Sequence, residues 1–115
     1  MIPAGVEVFV ATTPVDLRYG FERLAGIATE QLGKSARSGA LFVFFGKRRT
    51  SVKVLFADRT GLCIFYKRLG TGTFRIPEQI EPNTTHVTLT ERALDDLLDG
   101  IDIEEARPAR TQRIH

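Results

Sequence analysis

The side chains able to do chemistry in this chain are mostly basic, and they are bunched. Lys47, Arg48, Arg49, Lys53, Arg59, Lys67, Arg68 and Arg75 lie between residues 46 and 77, with Asp58 as the only acid among them. The whole chain carries a net charge of only +2, so this block is a local excess. Such an excess is the footprint of a partner that is a polyanion or an acidic protein surface. On the first reading, Lys47, Arg48, Arg49 and Lys53 meet phosphates at a hairpin tip. Lys67, Arg68 and Arg75 extend the same surface, and each contact releases a counterion. Tyr66 or a neighbouring phenylalanine then offers a base a stacking face. A plainer reading stands beside it: cations at a hairpin tip can be a solvated turn, and Lys or Arg on a strand blunts edge pairing.

Catalysis asks for more than these residues supply. A two-metal nuclease needs three converging carboxylates. The acids instead concentrate late, with Glu91, Asp95, Asp96, Asp99, Asp102, Glu104 and Glu105 against Arg92 alone over residues 91–105. His86 and His115 have no partner at ligand spacing, and Cys63 falls in an apolar run that predicts an inert core thiol. Gly70-Thr71-Gly72 lacks the lysine and helix of a phosphate-cradling loop. The expectation is a protein without metal, cofactor or enzymatic activity. The acidic run has a use of its own, since it can shield the basic middle or dock a basic partner.

The elements that must position these residues follow from hydrophobic period. At 115 residues, 43% hydrophobic and 26% charged, the chain has the composition of one soluble domain, large enough for a core without disulfides. No apolar run is long enough to span a membrane, and Met1 to Val6 lack the features of a signal peptide, which points to the cytoplasm. Val6 to Ala11 alternates as a strand. Thr13, Pro14 and Asp16 read as the cap and first turn of a helix, with Leu17, Phe21, Leu24, Ala28 and Leu32 as its inner stripe and Gly33 as its stop. Gly20 and Gly26 inside that helix predict a close backbone neighbour.

Leu41 to Phe45 reads as a strand buried on both faces, Ser51 to Ala57 as its alternating hairpin partner, and Leu62 to Arg68 as the next strand. Asp58 to Gly61 is turn chemistry. Thr73 to Ile76 is expected to be a short strand, and His86 to Leu89 an optional last one. Thr88 or Thr90 caps a second helix that runs to Gly100, with Leu94, Leu97 and Leu98 inward and Asp95, Asp96 and Asp99 outward. The order β-α-β-β-β-β-(β)-α predicts an α+β fold, an antiparallel β-meander packed by an N-terminal and a C-terminal helix. One domain is expected over residues 1–103, with 104–115 as a mobile charged tail.

Several blocks in this order resemble a known family. They are Met1-Ile2-Pro3, Asp16-Leu17-Arg18-Tyr19-Gly20-Phe21, Leu41-Phe42-Val43-Phe44, Arg48 through Leu55, Asp58 with Gly61-Leu62, Lys67-Arg68-Leu69 and Gly72-Thr73-Phe74 with Pro77. The series closes with Val87-Thr88-Leu89-Thr90, Leu94, Leu97-Leu98 and Gly100-Ile101-Asp102. Together they resemble the TnpB-type accessory protein of the bacterial insertion-sequence family number sixty-six, over about residues 1–102. Tyr19, Phe45 and Ala57 depart from the usual pattern. The resemblance implies a non-catalytic factor encoded beside a transposase and needed for efficient movement of the element. It marks Asp16, Arg18, Gly20 and Asp58 as family-motif positions.

Three of these also have a structural explanation: Asp16 on a helix dipole, Arg18 paired with Glu22, Asp58 bonding its own turn. The partners implied are DNA, through the basic hairpin, and the transposase or a sister accessory protein. The alternative is a protein-protein adaptor that does not touch DNA and uses the acidic helix. In that case the basic hairpin faces an acidic partner or a second copy of the chain.

Overall fold

The alternation read in the strands becomes a sheet with two buried faces. The computed structural model describes residues 6–75 and 85–99. Its elements are β1 (Val8–Ala11), α1 (Phe21–Glu30), β2 (Leu41–Phe45), β3 (Ser51–Ala57), β4 (Leu62–Arg68), β5 (His86–Leu89) and α2 (Glu91–Leu98). They form one five-stranded sheet in the order β4-β3-β2-β1-β5. The fold is α+β, as its element order predicts. Short turns join β2, β3 and β4, and these pair antiparallel as the meander. The connection through α1 makes β1 parallel to β2, so the sheet is mixed, and β5 closes the other side antiparallel to β1.

One helix covers each face. Phe9, Phe42, Phe44 and Leu55 pack with Leu24, Ile27 and Ala28 of α1. Val8, Val10, Val43, Val52 and Val54 pack with Leu94, Leu97 and Leu98 of α2. All five residues of β2 are buried, which is why Leu41 to Phe45 shows no polar alternation.

Five local expectations change. The first helix begins at Phe21, not at Thr13-Pro14, because the intervening residues find other hydrogen bonds. The Val15 amide donates to the Phe45 carbonyl (2.9 Å), carrying the chain onward beside β2, and the Tyr19 amide donates to the Asp16 carbonyl (3.0 Å). Asp16 thus caps a turn rather than a helix. Gly20, extended at ψ −155°, is the residue before the helix, and a Cβ at Gly20 or Gly26 would meet nothing within 4 Å, so neither marks a close neighbour.

Residues 73–75 form no strand. Phe74 instead plugs the α2-side core, its ring centroid 5.6 Å from that of Phe45 and its amide donating to the Arg49 carbonyl (2.7 Å). Asp96 is buried at 5% exposure, so only Asp95 and Asp99 of that trio face out. Cys63 is half-buried on the outer strand β4 rather than in the core. The second helix is capped by Thr90, whose hydroxyl accepts from the Ala93 amide (3.0 Å). Ile76, Gly100 and the tail at 104–115 lie outside the described residues.

Candidate nucleic-acid interface

The mixed sheet gathers segments that are far apart in sequence at one end. Because β1 and β2 are parallel, both finish on the same side, where the 12–17 segment and the turn 46–50 emerge together. They meet at Gly46, where a Cβ would lie in ordinary contact, 3.4 Å, with Leu17 Cδ1. The antiparallel return of β4 brings Arg68 opposite Ser51, at the same end. Between these segments lies an open cleft of about 510 Å³. Lys47, Arg48 and Arg49 line one side, Val15 and Asp16 another, and Tyr66 contributes the exposed aromatic wall.

Lys47, Arg48 and Arg49 are exposed, and among the described residues none of their side chains has a hydrogen-bonded or acidic partner. Arg49 holds a left-handed backbone at φ 57°, a conformation that favours glycine. Arg68 is exposed and likewise unpartnered among the described residues. Arg75 is exposed and follows Phe74, whose amide ties it to Arg49; it makes an interaction of its own.

Two of the candidate phosphate contacts are committed elsewhere. Lys53 is 9% exposed and points to the α1 face. Its ammonium donates to the Tyr19 carbonyl (2.9 Å) and lies 4.8 Å from the Tyr66 ring centroid. Lys67, on the opposite face, donates to the Leu98 carbonyl (2.7 Å) at the C-terminus of α2. It therefore does not join Arg68 in a phosphate clamp, since neighbours along a strand point to opposite faces.

The family-motif positions divide between the ends of the sheet. Arg18 reaches Asp16 rather than Glu22, with its Nη2 2.7 Å from Asp16 Oδ2 and its Nε 3.0 Å from Oδ1. These bonds, chiefly the side-chain one, hold the Asp16 carboxyl down at about 2, so it is ionised at every physiological pH. Asp58 closes the β3–β4 turn at the far end, accepting from the Thr60 and Gly61 amides (2.8 and 2.9 Å), which lowers its pKa. Burial, then the neighbouring Asp58, pushes the Cys63 thiol up. The residues that sequence reading missed are Val15 and Leu17, taken as helical.

Residues 6–108 match the family described as IS66 Orf2 like protein. The chain belongs to that family. Two proteins of Sinorhizobium fredii (strain NBRC 101917 / NGR234) are similar to it, both bearing the name uncharacterized protein. One, y4hO, is 38% identical over 104 residues, covering 89% of this chain and 88% of its own. The other, y4jC, is 31% identical over 98 residues, covering 85% and 81%. No solved structure matches the chain.

In this IS66 Orf2-like chain, no cluster of three His, Cys, Asp or Glu side chains able to hold a metal occurs among the described residues. No described helix is long and apolar enough to cross a membrane. What the cleft can do is chemical recognition. It offers unpartnered cations to an anion and an exposed ring to a flat apolar group, while the Asp16 carboxylate is already neutralised by Arg18.

Proposed function

We propose that this protein is a non-catalytic accessory factor for transposition of its insertion sequence, and that it contacts DNA with the cationic end of its sheet while assisting the transposase. The observation that carries the DNA contact is the turn 46–50. It holds three exposed cations side by side with no acidic partner among the described residues, and Arg68 stands at the same end. A merely solvating turn has no need to place arginine in the left-handed conformation of Arg49. Family membership supports the transposition setting. Lys53 and Lys67 drop out of the contact surface because each already serves a backbone carbonyl.

The transposase contact in this reading uses the outer face of α2, where Asp95 and Asp99 are exposed. The adaptor alternative would use that face together with the basic hairpin against an acidic partner or a second copy, and the inward turn of Asp96 leaves the helix face less charge.

The test is a titration of the purified protein against fluorescent DNA at about 50 and about 200 mM salt. Several phosphate contacts predict a loss of affinity between the two of one or more orders of magnitude. No binding at the lower salt would leave only the adaptor function. For the transposase, co-purification that survives Asp95→Asn with Asp99→Asn would contradict the α2 contact.

A further inference from the structure

Tyr66 stands on β4, the outer strand, and is 58% exposed, while Phe9, Phe42 and Phe44 on the same face of inner strands are buried. What distinguishes Tyr66 is its place: it lines the cleft beside three unpartnered cations. The ring is not loose. It pairs across the strands with Lys53, whose ammonium lies 4.8 Å from the ring centroid while being anchored on the Tyr19 carbonyl. A buried cation thus steadies the ring from one side.

The shape of the site adds a second constraint. Lys47, Arg48 and Arg49 border a concavity of about 510 Å³ that Tyr66 also lines. Duplex DNA is read by convex elements entering a major groove about 12 Å wide, and its bases are stacked on both faces. A concavity of this size falls instead within the range of small-molecule sites, about 300–1,000 Å³. Asp16 already carries its counterion, Arg18, at 2.7 Å, so the free cations of the cleft lie on the Lys47–Arg49 side, along which a strand runs its backbone while turning its base toward Tyr66.

We infer that the cleft takes an unpaired nucleotide of a DNA strand, with its base stacked on Tyr66 and its flanking phosphates on Lys47, Arg48 and Arg49. This rests on the DNA-binding reading above and narrows it to single-stranded or frayed DNA.

The test titrates the full chain against three probes of one sequence: a single strand, its blunt duplex, and the single strand carrying 2-aminopurine, whose emission is quenched on stacking. The single strand should bind tighter than the duplex, and the 2-aminopurine probe should lose emission on binding. Tyr66→Leu should weaken single-strand binding about tenfold without changing its salt slope, and Tyr66→Phe should retain it. Duplex binding equal to or tighter than single-strand binding overturns this inference and leaves the DNA-binding reading intact. So does a Tyr66→Leu variant that binds the single strand as well as the parent. Absence of binding to all three probes at low salt overturns both.

Discussion

Arg49 combines a left-handed backbone, φ 57°, with an unpartnered guanidinium among the described residues, so stability and the proposed DNA contact make opposite demands on the position. Relief of the Cβ clash should stabilise a glycine there by about 1–2 kcal/mol. The extra freedom of glycine in the unfolded chain costs back about 0.5–1 kcal/mol. Arg49→Gly should therefore hold or raise the melting temperature while weakening DNA binding, measured by thermal unfolding beside the DNA titration. A variant that melts lower and binds normally would show that the side chain serves the fold.

Asp16 gives a second test at this scale. Its folded pKa of about 2 lies below the ordinary 3.8, so the favourable contribution of its ionised form is fully present above pH 4. That contribution is lost as pH falls through about 2. Arg18→Met removes the principal cause, and a carboxyl-carbon NMR titration should show Asp16 moving back up toward the ordinary value. An unmoved Asp16 would mean that the pair does not govern its ionisation.

Lys67 supplies at the element scale what α2 lacks in its own sequence, since the last turn of that helix has no basic residue. Its ammonium on the Leu98 carbonyl joins the helix end to the sheet. Lys67→Met should cost about 1 kcal/mol, seen as a melting point about 4 °C lower, and leave DNA affinity and its salt slope unchanged. A fall in salt slope would return Lys67 to the interface.

The same lysine shows where sequence reasoning stops. Strand, period and charge at Lys53 and Lys67 were legible, but the carbonyls they reach are 34 and 31 residues away. A linear pattern carries no signal of such distant partners. The 13–19 segment was misread for a related reason. Thr, Pro and Asp favour a helix start and a capped turn alike, and the bond from the Val15 amide to Phe45 decided between them.

For the whole molecule, the period-two runs and the two amphipathic helices were enough to give the α+β class and the β2-β3-β4 meander. Alternation separated Val52 and Val54 from Lys53 and Leu55 in β3, and the unbroken apolar run of β2 marked a strand buried on both faces. Parallel pairing of β1 with β2 was not legible, because it depends on how α1 returns the chain across the sheet. That pairing is what brings the 12–17 segment to the cationic turn, so the cleft was invisible while its cations were in plain view.

In the proposed interface the cations form one surface at one end of the sheet, and Lys53 and Lys67 are not part of it. The most direct measurement is the slope of log affinity against log salt for duplex DNA in three proteins: the parent, Arg48→Ala with Arg49→Ala, and Lys53→Met with Lys67→Met. Removing two phosphate contacts should shallow the slope by about 2 units in the arginine variant, while the folded lysine variant keeps the parental slope. Equal shallowing in both variants, or none in the arginine variant, would contradict that arrangement.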